Sequence, residues 1–399
     1  MIKSIQVPTS WKISKILNVA LVNPRSISID DDAIVTFLPM SAVSESGCIL
    51  DAEIRKAIDV KKGFTSFESG DVLIAKITPC FENYKGCFCT NLKNNRGYGS
   101  TEFHVLRPKK NITGEYLHLL TRTQHFRGTG ELNMTGTAGQ KRVPITFLKN
   151  YEFVLPPISE QKAIVDMLSI WDEAIEKIER LIQAKEKNFK GLTQKIIGQR
   201  CKSWQHVKPK QIFNTITEKN YPYEELLSVT QDRGVIPRSK MEGRVMSPEG
   251  TTSSYKLIKP GDFAISLRSF QGGIEYSSYQ GIISPAYTVL RPKIEMSNDF
   301  YRLFFKSYIF IEKYLNLSVI GIRDGKQISI PDFLNIPIPF PSLNEQKEIA
   351  NTLIFAQSEI DLLKRLLDKY KIQKRGLMQK LLTGKWRVKP ESVNKYAEI

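Results

Sequence analysis

The sequence predicts an α+β protein built as an internal repeat. Two mixed α/β bodies are joined by two long helices that form an antiparallel coiled coil, with approximate two-fold symmetry. Three observations predict it. A segment in the middle of the chain returns near its end. Both copies carry apolar residues at sustained heptad spacing. The stretches between them break into short strands and helices punctuated by glycine and proline.

The repeat comes first. Ser159-Glu160-Gln161-Lys162 returns as Asn344-Glu345-Gln346-Lys347. The match runs on without a gap until Gly191-Leu192-Thr193-Gln194-Lys195 meets Gly376-Leu377-Met378-Gln379-Lys380. Prolines precede each copy, Pro156-Pro157 in one and Pro337, Pro339 and Pro341 in the other. Weaker echoes lie upstream. Gly70-Asp71-Val72-Leu73-Ile74 corresponds to Gly261-Asp262-Phe263-Ala264-Ile265, and Val105-Leu106-Arg107-Pro108 to Val289-Leu290-Arg291-Pro292. Trp11 and Trp204 each open a unit. The expected divisions are a first body at 1–155, a helical segment at 156–200, a second body at 201–338, a second helical segment at 339–388 and a tail at 389–399.

The two tails of the repeat are helices with a seam. Ile164, Leu168, Trp171, Ile175, Ile178, Ile182, Lys185, Phe189, Leu192 and Ile196 alternate spacings of four and three. So do Ile349, Leu353, Ala356, Ile360, Leu363, Leu367, Tyr370, Lys374, Leu377 and Leu381. A seam of period 3.5 demands a partner helix. If the second helix returns towards the first body, the two run antiparallel and the chain closes on itself. At about forty residues each, they would be roughly 60 Å long, with a body at either end. Ser159 and Asn344 are the expected N-caps. Gly191 and Gly376 sit at one offset from the ladder. A glycine inside a helix costs about 0.8–1 kcal/mol against alanine. Close approach of the other helix or of a partner subunit would offset that; a tolerated surface glycine is the plainer reading.

In the bodies, Asp71–Ile77, Thr101–Leu106 and Tyr287–Leu290 read as strands. Glu115–Phe126 and Asp299–Leu315 read as helices, and Gly128–Gly139 and Gly321–Gly325 as loops.

Composition narrows the function. The 399 residues leave room for several folding units, and 41% hydrophobic with 25% charged residues excludes a disordered chain or a disulfide-stapled miniature. Lysine and arginine number 58 against 41 acidic residues, a net charge of +17. That excess points to a polyanion, DNA or RNA first and an acidic membrane surface second. No apolar run reaches the roughly eighteen residues of a membrane span, and Met1–Ser10 lacks a signal peptide's apolar core. Five cysteines, an odd number, fit reduced thiols and a cytoplasmic home. Cys80, Cys87, Cys89 and His104 cluster in sequence, but buried thiols in a sheet are a better reading than a zinc site.

Catalytic signatures are weak. Gly136–Lys141 and Gly321–Lys326 each have one residue too few for a phosphate loop, and no Ser or Thr follows the lysine. Gly128-Thr129-Gly130 lacks a third glycine. Asn23-Pro24-Arg25-Ser26 opens like an amino-methyltransferase motif but lacks its second proline and aromatic residue. No catalytic residue and no metal ligand is assigned.

Basic and polar loops carry more. Gln140, Lys141 and Arg142 follow a Gly/Thr stretch and precede Val143-Pro144. Arg323, Lys326 and Gln327 hold the equivalent place before Ile330-Pro331. Lys76, Thr78, Asn83 and Lys85 form a second loop after the Gly-Asp strand, with Arg268, Ser269 and Gln271 as counterparts. Lysine and arginine neutralise phosphates, and arginine and glutamine pair with guanine and adenine edges in the major groove.

Four stretches together are specific: Phe67–Phe81, Gly139–Pro144 (Gly-Gln-Lys-Arg-Val-Pro), Leu155–Lys162 (Leu-Pro-Pro-Ile-Ser-Glu-Gln-Lys) and Leu381–Lys385 (Leu-Leu-Thr-Gly-Lys). On these, nearly the whole chain resembles the specificity subunit of type I restriction-modification systems. The resemblance implies two target-recognition domains, each reading one half of a split double-stranded DNA target, and two paired spacer helices. It implies docking of two modification subunits, which bring S-adenosylmethionine and methylate adenine. Two restriction subunits would add ATP- and Mg²⁺-dependent translocation and cleavage. The chain itself would bind no cofactor and would not be the catalyst. Two departures stand out. The first spacer ends Ile196-Ile197-Gly198-Gln199-Arg200 without Thr-Gly, and the second body has Leu267-Arg268-Ser269-Phe270 where the first has Lys-Ile-Thr-Pro. The competing readings are a single-chain DNA-modifying enzyme and, further off, a coiled-coil protein scaffold.

Overall fold

A strand made only of apolar residues needs cover on both faces, and Val72–Ala75 has it at every position. The computed structural model describes residues 7–26, 28–137, 139–241, 252–268, 272–321 and 327–396. By contacts the chain divides into two units, one drawn from residues 1–178 and 366–399, the other from 179–365.

In the first unit, Val72–Ala75 is an interior strand of an antiparallel sheet ordered Ala20–Val22, Phe103–Pro108, Val72–Ala75, Gly86–Phe88. Side chains alternate across a strand. Val72 and Ile74 therefore join a core with Tyr116, Leu117 and Phe126, and Leu73 and Ala75 join another with Leu38, Phe67 and Phe103. A second sheet runs Glu53–Lys56, Ile34–Leu38, Arg96–Gly99, Thr65–Glu68, parallel only between its middle pair. Lys12–Lys15 pairs antiparallel with Glu152–Leu155.

The second unit repeats the plan. Its sheet is ordered Phe213–Ile216, Tyr287–Pro292, Phe263–Ser266, Glu275–Tyr276, and Gln205–Val207 pairs with Ile338–Phe340. Phe263 and Ile265 face a core with Tyr301, Phe305 and Phe310, while Ala264 faces Leu227 and Val289. In place of the second four-stranded sheet, the described residues hold two-stranded pairs, Leu227–Thr230 with Gly234–Pro237 and Lys256–Ile258 with Gly281–Ile283.

The upstream sequence echoes join as one ion pair per unit. Asp71 is 1% exposed and takes two hydrogen bonds of 2.8 Å from Arg107. Asp262, 2% exposed, takes 2.9 and 2.8 Å bonds from Arg291. Each aspartate also accepts a backbone N–H three residues upstream, from Glu68 or Lys259, which closes the turn ahead of the strand.

Three expectations about helices are corrected. The helix expected over Glu115–Phe126 is two, Gly114–Thr121 and Gln124–Leu132, because Thr123 accepts from the Phe126 N–H and starts a new one. Asp299–Leu315 likewise breaks into Asn298–Phe304 and Tyr308–Lys313, capped by Ser297 and Ser307. Gly128 and Gly130, expected in a loop, lie in the second of the first pair. A Cβ on Gly130 would sit 2.4 Å from the Phe81 ring, so close packing requires glycine there.

The long helices span Ile158–Arg200 and Leu343–Leu382, and each is divided between the units. Every residue of both seams is buried or half-buried, including Ile164, Leu168, Ile175, Ile182, Ile349, Leu353, Ile360 and Leu367. The pairing is antiparallel within each unit. In the first, Ile164 and Leu168 share a core with Met378, Leu381 and Leu382, while the Trp171 and Tyr370 rings meet tilted at 57° with centroids 5.4 Å apart and Asp172 meets Lys374. In the second, Ile197 shares a core with Ile349 and Leu353, while Lys185 meets Glu359 at 2.7 Å. The expected caps shift. Both helices begin one residue earlier, so Ser159 and Asn344 lie in the first turn. Ser342 caps the second helix, its hydroxyl accepting from the Glu345 N–H at 3.4 Å while Glu345 accepts from the Ser342 N–H at 3.2 Å. Gly191 and Gly376 are exposed, and a Cβ on either meets nothing within 4 Å. Close approach of the other helix is therefore not their reason.

The motif that repeats best closes each unit. Gln161 is fully buried. It accepts from the Thr113 N–H at 2.9 Å and donates to the Asn111 and Pro156 carbonyls. Gln346 accepts from the Ser297 N–H at 2.7 Å and donates to Pro341. The neighbouring glutamates take the opening tryptophans, Trp11 on Glu160 at 2.9 Å and Trp204 on Glu345 at 3.4 Å. Among the described residues no helix is long and apolar enough to cross a membrane.

Candidate nucleic-acid interface

Beyond Val72–Ala75 the chain keeps pairing. Lys76 donates its N–H to the Glu102 carbonyl at 2.8 Å and accepts from the Val143 N–H at 2.8 Å, and the Thr78 N–H reaches the Lys141 carbonyl at 3.0 Å. Arg142 bridges back to Thr135 in both directions, at 2.8 and 3.0 Å. Thr135 and Arg142 thus close a turn, with Gly136 at φ 120° and Gly139 at φ 81°. This backbone brings Lys76, Thr78, Gln140, Lys141 and Arg142 onto one platform.

Their side chains differ in role. Gln140, Lys141 and Asn83 are exposed. Thr78 donates to Glu82, and Lys85 donates to the Met40 carbonyl at 3.2 Å. Arg142 is gripped by Glu102. Its Nε lies 3.0 and 3.2 Å from the two carboxylate oxygens, its Nη2 lies 2.8 Å from Oε1, and its Nη1 donates to the Gln140 carbonyl at 3.0 Å. The grip holds the Glu102 carboxyl below its usual range. Glu102 was invisible to sequence reasoning, because it reads as the start of the strand at 101–106.

The loop 77–85 is held from inside by two arginines that sequence reasoning also missed. Arg127 is 3% exposed. It donates to the Thr121 and Phe81 carbonyls at 2.8 and 2.9 Å, with its guanidinium 4.7 Å from the centre of the Phe81 ring. Burial and the neighbouring Arg122 push its ionisation down to about 9. Arg122 donates to Tyr84 at 3.1 Å and to Glu45 at 2.7 Å. Beside them, burial and the two cations push His118 down to about 3.

The second unit repeats the register. The Ile328 N–H reaches the Leu267 carbonyl at 2.8 Å, as Val143 reaches Lys76, and Gln327–Ile328 pairs with Val319–Ile320 as Arg142 pairs with Thr135. Gln327 therefore takes the place of Arg142, and exposed Arg268 follows the strand end. Ser269, Gln271, Arg323 and Lys326 lie outside the described residues.

The weak enzyme-like motifs find structural roles. Asn23 donates its amide to the His104 ring at 3.1 Å and accepts from the Val105 N–H at 2.8 Å. The His104 Nε2 meets the Val143 carbonyl at 2.8 Å, and Cys87 and Cys89 are buried in the sheet core. Gly136 and Gly139 sit in a turn closed by Thr135 and Arg142, and the next helix starts only at Ile145, past Pro144, rather than at the lysine as a phosphate loop requires. Among the described residues no group of three His, Cys, Asp or Glu could hold a metal.

The type I restriction modification DNA specificity domain matches this chain twice, at residues 8–186 and 202–370. The chain belongs to that specificity family. It is 41% identical over 177 residues to the EcoAI specificity subunit of Escherichia coli, across 43% of this chain and 30% of that one. The EcoEI specificity subunit, also from Escherichia coli, is 41% identical over 169 residues, 42% of this chain and 28% of the relative. This chain thus matches less than a third of the length of either. A putative MjaX specificity subunit of Methanocaldococcus jannaschii is 27% identical over 310 residues, 71% of each chain. In fold, the chain resembles the HsdS subunit of Thermoanaerobacter tengcongensis at a TM-score of 0.54 and 19% identity, covering 96% and 99% of the two chains. A chain solved in work on assembly of the type I R-M system gives a TM-score of 0.61 at 17% identity, covering 96% and 100%. Specificity-family membership accounts for the doubled body and the paired long helices.

Proposed function

We propose that this chain reads a bipartite double-stranded DNA target for a type I restriction-modification assembly, one half-site per unit. The observation that carries the reading is the duplicated platform. Each unit ends its central strand in a register-matched pairing and presents basic or amide side chains there, Lys76, Lys141 and Arg142 in one and Arg268 and Gln327 in the other. One backbone with different side chains suits two unlike half-sites. The net charge of +17 supplies attraction to phosphates.

The long helices keep apolar residues outside their seams: Ile170, Phe355, Leu362 and Ile372 are 58–80% exposed. We assign these faces, with Gly191 and Gly376, to the docking of two modification subunits. Those subunits carry S-adenosylmethionine and methylate adenine. Two restriction subunits, using ATP and Mg²⁺, complete the assembly, and this chain is its non-catalytic reader.

Methylome sequencing of cells carrying the modification subunit, with and without this chain, tests the reading. The expected result is one split, adenine-methylated motif that vanishes with the chain. A motif that persists without it, or a contiguous one, overturns the proposal.

A further inference from the structure

We infer that Arg142 reads a guanine in the half-site of the first unit, with Glu102 as the residue that positions it. The inference rests on the proposed function and adds the base and the residue pair.

A guanidinium has five N–H donors. Glu102 engages the Nε donor and one on Nη2, and the Gln140 carbonyl engages one on Nη1. One N–H remains on each terminal nitrogen. Two donors on adjacent nitrogens match guanine's O6 and N7, the commonest arginine contact in the major groove. The side chain is 41% exposed, so those donors have access to a ligand.

Charge separates a base from a phosphate. Glu102 lies against the guanidinium through two of its nitrogens and is itself 25% exposed. A phosphate at Arg142 would meet that carboxylate and be repelled. A base edge carries no net charge and pays no such penalty. Orientation points the same way. A phosphate accepts a cation from many directions, whereas base readout needs the planar fork held in one. Glu102 and the Gln140 carbonyl hold it from two sides. The second unit agrees, since Gln327 stands at the register position of Arg142. Arginine can pair bidentately with guanine, and glutamine with adenine.

The test uses the full chain assembled with its modification subunits and a pool of random duplex DNA, with bound sequences read out. Wild type should enrich a split motif with a required guanine in one half. Arg142→Ala should lower preference at that one base pair at least about tenfold, leaving the other positions selective. Glu102→Ala should relax the same position while raising affinity for unselected DNA, because a negative charge is gone. A merely structural role for Glu102 would lower both. A uniform loss for Arg142→Ala at every position would make the residue a phosphate contact and overturn the inference, as would no effect. No enriched motif with wild type would overturn the proposed function itself.

Discussion

Arg107 holds Asp71 through two 2.8 Å hydrogen bonds, and Asp71 is 1% exposed at the start of the strand that leads to Lys76 and Thr78. Arg291 and Asp262 repeat the relationship in the second unit. Removing the arginine leaves a buried carboxylate without its partner. Arg107→Met is expected to cost about 3 kcal/mol, the low end for a broken buried pair, because Arg107 keeps partial contact with water. Urea denaturation measures it. A loss under about 1 kcal/mol would show that water takes over the role of the arginine.

Arg127 gives a prediction about the loop rather than the core. Its guanidinium ties the Phe81 and Thr121 carbonyls together from beneath, with no carboxylate partner among the described residues. Arg127→Met is expected to free the turn in which Tyr84 bonds Phe81 and Lys85 bonds Cys80. Hydrogen exchange at those two amides should rise at least about tenfold while the long helices keep their protection. DNA affinity should fall with it. Lysine should rescue only partly, since it has no planar fork to span two carbonyls. Unchanged exchange in Arg127→Met would remove the residue from any positioning role.

The sequence announced the long helices and hid the platform, for different physical reasons. A heptad seam writes itself locally: Leu168 and Ile182 are spaced by the geometry of one helix, so their burial follows from period alone. Sequence comparison likewise found Asp71 and Arg107, but as separate echoes. That they form one ion pair is a tertiary fact. Glu102 had no signal, because a carboxylate at a strand end looks solvated until Arg142 arrives from forty residues away. The breaks before Gln124 and Tyr308 were legible in principle, since Thr123 and Ser307 are ordinary caps inside otherwise helical patterns. Gly130 contradicted its local propensity for a physical reason, because the Phe81 ring fills the space of a side chain.

Acid should loosen the first unit through His118. Burial beside Arg122 and Arg127 depresses its folded-state ionisation to about 3, while the unfolded chain protonates it near 6.5. The folded form therefore binds fewer protons. Its contribution to stability is complete above about pH 6.5 and shrinks as pH falls towards 3, by about 1.4 kcal/mol per pH unit for this one group. His118→Gln is expected to flatten that slope. Denaturation midpoints between pH 4 and 7 measure it, and equal slopes in variant and wild type would place the acid response elsewhere.

The seams make the sharpest prediction about the target. Each long helix runs without a break from one unit into the other, and its ladder stays covered in both. Removing one heptad from each helix, at facing positions, keeps every remaining rung opposite a rung. The pair then stays zipped and shortens by about 10 Å at 1.5 Å per residue. One base pair rises about 3.4 Å, so the gap between half-sites should contract by roughly three base pairs. The bases within each half-site should not change, because the platforms are untouched. Removing a heptad from only the first helix keeps its seven-residue phase but leaves it about 10 Å too short for its partner. The packing of Ile164 with Leu381 and of Ile197 with Ile349 then cannot both be kept, and assembly should fail. Methylome sequencing reads both outcomes. If the double deletion assembles and methylates at the original gap, the helices do not set the spacing, and the half-sites are separated by the units or their partners instead.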